Sequence, residues 1–129
     1  MNDITVLVLT FNEERNLKFL LDNVRGWCKE VIVLDSGSTD ETLNIAETAG
    51  CHIYHRDFDD FSSQRKHLLN EINVNSSWSL VLDADEIMTE ELKNEISNSI
   101  KESEYDAFYM KRRFYWMGRW VKRGYYPTN

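Results

Sequence analysis

Four short apolar runs, separated by stretches with helical periodicity, constrain this chain more than any other feature. Residues 4–9 (ITVLVL) form an unbroken β-branched and aliphatic run, the pattern of a strand covered on both faces. Residues 31–34 (VIVL), 51–54 (CHIY) and 78–82 (WSLVL) repeat the theme at shorter length. Between the first two, Leu17, Leu20, Leu21 and Val24 recur at helical spacing. Asn12 is the expected N-cap, Glu13 and Glu14 fill the first turn, and Gly26 is the stop. Ser38 and Glu41 have capping-box spacing ahead of Leu43, Ala46 and Ala49, with Gly50 as C-cap. Residues 57–63 read as a polar and aromatic loop. A helix bearing Leu68, Leu69 and Ile72 follows, then one capped by Thr89 with Leu92, Ile96 and Ile100 on its buried stripe. Residues 107–116 return to a strand pattern. Alternation of this kind predicts right-handed βαβ units: an α/β fold around a mostly parallel sheet, with helices on both faces.

Composition narrows the function classes. The chain has 129 residues, 42% hydrophobic and 29% charged, with a net charge of −7. One domain is expected, with a nucleotide-binding α/β part over 1–106 and the start of a second, incomplete segment over 107–129. All 22 acidic residues lie within 1–106 beside nine of the 15 basic ones; 107–129 holds the other six (Lys111, Arg112, Arg113, Arg119, Lys122 and Arg123) and no acid. An acidic body argues against long nucleic acid, which needs a broad basic face. A small phosphorylated ligand remains open if a divalent cation bridges it to carboxylates. No run approaches a membrane span, and Met1-Asn2-Asp3 lacks the basic start of a signal peptide, so the expectation is a cytoplasmic protein. Cys28 and Cys51 fit no metal or redox spacing and read as free thiols of a reducing compartment. His52, His55 and His67 show no ligand spacing either.

Three of the runs end in polar clusters: Thr10-Phe11-Asn12-Glu13, Asp35-Ser36-Gly37-Ser38 and Asp83-Ala84-Asp85-Glu86. Ligands of open parallel sheets sit at the carboxyl ends of the strands, where strand order reverses. Asp83 and Asp85, two apart at a strand end, are expected to project to one side and to share a Mg²⁺ or Mn²⁺ ion, with Glu86 adding a third acid. The competing structural reading is a strand-to-helix turn that favours acids near a helix N-terminus. Asp35 suits a hydrogen bond to a ribose or base; taken alone, an Asx-turn over Ser36-Gly37 is the favoured reading. No glycine-rich dinucleotide or P-loop motif is present.

The blocks Leu9-Thr10-Phe11-Asn12-Glu13-Glu14, Val33-Leu34-Asp35-Ser36-Gly37-Ser38-Thr39-Asp40-Glu41-Thr42 and Leu82-Asp83-Ala84-Asp85-Glu86 resemble, in order and interval, those of family 2 glycosyltransferases. Phe61-Ser62-Ser63-Gln64-Arg65-Lys66, the segment Lys111 to Trp120 and Tyr125-Tyr126-Pro127 are similar to the lipopolysaccharide-core glucosyltransferase-like subgroup, with Lys66 in place of its Asn and Thr128 where an acid often follows the Pro. The resemblance implies a Rossmann-like GT-A nucleotide-sugar-binding sheet, truncated. It implies that Thr10, Phe11 and Glu13 line the base and ribose, that Asp35 bonds the base, and that Arg65 approaches base or diphosphate. Asp83 would lie by ribose and donor sugar, and Asp85 with Asp83 would hold the divalent ion. It implies a nucleoside-diphosphate sugar donor, UDP being the commonest carrier, and a glycan or lipid-linked acceptor in cell-envelope polysaccharide synthesis. The family's general base falls beyond Asn129, so no catalytic residue is assigned and little transfer is expected of this piece alone. The basic, aromatic segment 111–126 would meet an anionic acceptor or inner-membrane headgroups, or pack on a missing half; in the second case Trp116, Trp120, Tyr125 and Tyr126 would favour self-association.

Two rival readings are open. A haloacid-dehalogenase-like phosphohydrolase also has a strand ending in Asp-x-Asp, but on its first strand and with Thr or Val where this chain has Ile87. A non-catalytic module would bind the nucleotide sugar without transferring it.

Overall fold

The computed structural model describes residues 1–102 and 104–110 in full, and the backbone alone at 114–116 and 119–121. Strands β1 (Asn2–Thr10), β2 (Cys28–Asp35), β3 (His52–His55) and β4 (Trp78–Asp83) form one sheet in the order β3-β2-β1-β4. Every pairing in it is parallel, with Val8 opposite Val33 on one side and Leu82 on the other. The helices are α1 (Leu17–Val24), α2 (Thr42–Thr48), α3 (Phe61–Asn70) and α4 (Glu90–Glu102). A two-stranded antiparallel ribbon follows, β5 (Phe114–Trp116) and β6 (Arg119–Val121).

Chain direction and handedness fix which helix covers which face. The steps from β1 to β2 and from β2 to β3 run one way across the sheet; the step from β3 to β4 runs back past β1. Right-handed crossovers therefore place α1 and α2 on one face and α3 on the other. The core divides accordingly. Ile4, Val6 and Val8 pack with Leu17, Leu20, Leu21, Val24 and Ala46, against which Leu92, Ile96 and Ile100 of α4 also rest. Leu7, Ile32 and Leu34 pack with Leu68 and Ile72 on the α3 side. With strand order reversing at β1, the crevice between the ends of β1 and β4 is the topological switch point.

Several local expectations are corrected. α1 begins at Leu17 behind Asn16, not at Asn12. Asn12 sits at φ 52°, a left-handed conformation that Asn tolerates better than most residues, and residues 13–16 form a turn closed by the Asn16 N–H onto the Glu13 carbonyl at 3.0 Å. Ser38 does not cap α2. Its hydroxyl turns back to Asp35, while Asp40 accepts the Thr42 N–H at 2.9 Å. Leu43 is 38% exposed and the fully buried Thr42 takes its place in the interior. α3 starts at Phe61, inside the expected loop, because Asp60 caps it by accepting the Ser63 N–H at 2.8 Å. Leu68 is buried but Leu69 is exposed. Thr89 does cap α4, accepting the Leu92 N–H at 3.2 Å. Residues 107–110 are not strand. Most of the basic segment, including Lys111, Arg112, Arg113, Lys122, Arg123, Tyr125, Tyr126 and Thr128, lies outside the described residues, as do the side chains of Trp116, Arg119 and Trp120.

Candidate functional site at the carboxyl ends of the strands

The three polar clusters do converge at one end of the sheet. Thr10 and Asp35 end β1 and β2 in direct register, and Asp83 ends β4 opposite Leu9. What each side chain does there differs from expectation.

Asp35 is 1% exposed, and both its oxygens are occupied. Oδ1 accepts the Thr10 hydroxyl at 2.7 Å and the Ser38 hydroxyl at 2.6 Å. Oδ2 accepts the N–H groups of Gly37 at 2.9 Å and Ser38 at 2.8 Å. Four donors fill the lone pairs of a carboxylate. Burial pushes the Asp35 carboxyl up, but the Ser38 and Thr10 hydroxyls and the two backbone N–H groups together outweigh it and hold the group below its ordinary value. Asp35 is thus the Asx-turn residue of the structural reading and does not present a free acceptor to a base. Gly37 at φ 104° supplies the conformation the turn requires. Thr10, 3% exposed, is buried against Asp35 and does not line a cleft.

The turn after β2 is locked to the turn after β1. The Asn12 N–H donates to the Ser38 hydroxyl at 2.9 Å, and Asn12 Oδ1 accepts the Thr39 N–H at 2.8 Å. The Glu13 N–H donates to the buried Thr42 hydroxyl at 2.8 Å, which itself donates to Asp40. The Glu14 carboxylate accepts the Glu41 N–H at 3.2 Å. On this interlocked pair of turns Phe11 is 58% exposed and Glu13 half-buried, beside the exposed Asn12, Glu14, Gly37 and Thr39.

Asp83 and Asp85 are placed by a turn, not by strand pleat. β4 stops at Asp83, and residues 83–86 close a β-turn through the Glu86 N–H onto the Asp83 carbonyl at 2.9 Å. Ala84 points into the core at 2% exposure, leaving Asp85 exposed beside it. Glu86, expected as a third acid, turns back to accept the Asp83 N–H at 2.8 Å. The far end of the loop is pinned by a residue that sequence reading passed over. The Asn23 carboxamide on α1 pairs both backbone groups of the buried Met88, at 3.0 and 2.9 Å. An Asn within a helical stretch carries no sequence signal of such a role.

Arg65 on α3 reaches Asp83 Oδ1 at 3.2 Å, both side chains partly exposed, and so comes to the end of β4 from the face opposite α1 and α2. Its neighbour Gln64, part of a recognised segment but given no role, is 1% exposed and holds Ser36. At the β3 side, His55 Nε2 lies 2.7 Å from the Asp57 carboxylate.

Among the described residues, no set of three or more His, Cys, Asp or Glu converges on a metal position. At the end of β4, Asp83, paired with Arg65, and the exposed Asp85 are carboxylates that could supply oxygen donors. That set suits a hard divalent ion of the Mg²⁺ type, which binds through one or two carboxylates and takes the rest of its shell from water and phosphate.

The family model for glycosyl transferase family 2 matches residues 5–127. An uncharacterised glycosyltransferase of Rickettsia typhi is 32% identical over 132 residues, covering 100% of this chain and 44% of its own length. The prophage-derived glycosyltransferase SunS of Bacillus subtilis is 30% identical over 105 residues, covering 79% of this chain and 24% of that protein. The chain therefore spans less than half the length of these relatives. The crystal structure of S. aureus TarS 1-349, solved also with UDP and with UDP-GlcNAc, superposes with a TM-score of 0.59 at 24% identity over 79% of this chain and 33% of that one. The three blocks at the strand ends, the parallel β3-β2-β1-β4 sheet and a family match across nearly the whole sequence agree: the chain belongs to glycosyl transferase family 2.

Proposed function

We propose that the crevice at the ends of β1 and β4 binds a nucleoside-diphosphate sugar, with UDP as carrier. In this reading the chain supplies the donor half of a transferase that passes the sugar to a glycan or lipid-linked acceptor. The observation that carries the reading is the meeting of Arg65 with Asp83 beside the exposed Asp85, at the switch point of the sheet. A cation and two carboxylates at that place match the needs of a sugar diphosphate bound with a divalent ion. The occurrence of UDP and UDP-GlcNAc in TarS structures of the same fold supports the carrier.

The same reading gives each residue a role. Phe11, exposed on the first turn, and the half-buried Glu13 face the base and ribose. Asp35 and Thr10 act one layer behind, holding the turns in shape. Asp83 and Asp85 would hold Mg²⁺ or Mn²⁺, whose charge supplies stabilisation of the departing diphosphate. In this reading Asp83, paired with Arg65 at 3.2 Å, would release it onto the diphosphate when ion and donor bind. Deprotonating the acceptor hydroxyl needs a carboxylate base; we place it in chain beyond Asn129, a reading consistent with relatives more than twice as long. Assignment to the lipopolysaccharide-core-like subgroup, to envelope polysaccharide synthesis and to the cytoplasm, with inner-membrane contact or self-association through the basic segment, is part of the same proposal. No helix among the described residues is long and apolar enough to cross a membrane.

Calorimetric titration tests the site directly. UDP, GDP and dTDP are titrated into wild type and Asp85→Ala, with Mn²⁺ and then with EDTA. We expect UDP to bind only with Mn²⁺, and Asp85→Ala to abolish that dependence. A folded chain indifferent to all three nucleotides would sink the assignment.

A further inference from the structure

We propose that Gln64 is the positioning residue of the donor site, setting the rotation of α3 so that Arg65 meets Asp83. The inference rests on the donor-site reading above.

The Gln64 side chain is 1% exposed, unusual for an amide on a helix of marginal apolarity. Its Nε2 donates to the Ser36 hydroxyl at 2.8 Å and to the Arg56 carbonyl at 3.2 Å; its Oε1 accepts from Arg56 Nη1 at 2.6 Å. Both donor hydrogens and the oxygen are engaged, and every partner lies outside α3. Ser36 belongs to the turn after β2, and Arg56 follows β3. Arg56 is itself a fixed post, because Asp59 grips its guanidinium in a bidentate pair at 2.9 and 3.1 Å and is driven down to about 2 by that contact.

Two contacts one helical turn apart seat α3 on the sheet. Leu68, fully buried against Leu7, Ile32 and Leu34, is apolar and non-directional, so it sets how closely the helix lies. Gln64, four residues earlier on the same side, is directional, so it sets rotation and slide. Arg65 stands about 100° further round the helix. Its guanidinium lies at the end of a long side chain, where a small rotation of α3 becomes a large displacement relative to Asp83. Removing the amide while keeping its bulk should leave the helix seated and its cation misplaced.

Gln64→Met keeps the shape and deletes the hydrogen bonds. Titration of UDP in Mn²⁺ is run on wild type, Gln64→Met, Arg65→Ala and the double variant, with thermal melts on each. We expect a folded Gln64→Met chain with UDP affinity down by about tenfold, and a double variant no weaker than Arg65→Ala alone, since Gln64 acts through Arg65. A purely structural role would lower the melting temperature and add in full to the Arg65→Ala loss. Wild-type affinity in Gln64→Met, or full additivity, overturns the proposal while leaving the donor site standing. Failure of wild type itself to bind UDP overturns both. Should Gln64→Met not fold, Gln64→Asn retains the amide but cannot span its partners; weakened UDP binding supports the role and wild-type binding refutes it.

Discussion

An isolated carboxylate at the depth of Asp35 would be a weakened acid, yet its four donors hold it below the ordinary carboxylate range. A depressed folded-state value means that the unfolded chain takes up the proton first as pH falls. The stabilisation is therefore complete above the unfolded value of about 4, and is lost as pH drops through the lower folded value. Asp35→Asn would set an amide N–H₂ against N–H donors and cost about 2–4 kcal/mol at pH 7. Urea melts of the two proteins should start to converge at about pH 4 and meet only below the lower folded-state value, as protonation strips wild type of the same advantage. That Asp35 matters was readable from its place after an apolar run; that it faces inward was not. Along a strand covered on both faces, apolar residues sit on either side, so periodicity does not reveal which way a terminal Thr10 or Asp35 points. Asp85 presents the opposite case: a turn, with Ala84 as its buried pivot, leaves it open to solvent where pleat alone would have aligned it with Asp83.

Among the elements, α3 separates legible from illegible features most clearly. Its apolar pair Leu68-Leu69 marked a helix, but adjacent leucines do not say which one faces the sheet. Leu68 does, so Leu68→Ala should cost about 2–5 kcal/mol, whereas Leu69→Ala should stay within about 0.5 kcal/mol, both read from urea melts. Its start was misplaced because Asp57, Asp59 and Asp60 all look like loop, and only the Ser63 N–H singles out Asp60 as the cap. Asp60→Ala should cost about 1 kcal/mol. α1 was misplaced for the converse reason: Asn12 has the composition of a cap, but its side chain is engaged by the neighbouring turn. In both cases a tertiary hydrogen bond decided between locally equivalent candidates.

At the scale of the molecule, the alternation of apolar runs with amphipathic stretches was enough to predict an α/β fold with a parallel sheet, because handedness leaves few other ways to bury both faces of such strands. Strand order was not written in the pattern; it emerges from the reversal between β3 and β4. That order leaves β1 and β2 flanked on both sides and β3 and β4 at the edges, so native-state hydrogen exchange should find the slowest amides in residues 4–9 and 32–34 and the fastest strand amides in the short edge strand β3. The two turns that close over the ends of β1 and β2 carry a consequence for descent. Asn12, Glu13 and Glu14 exchange hydrogen bonds with Ser38, Thr39, Asp40, Glu41 and Thr42, so neither loop can accept an insertion or a lost donor without leaving the other incomplete. Two blocks that stand some 26 residues apart in the chain are, for mutation and inheritance, a single locus. Across homologues their residues should change together or not at all.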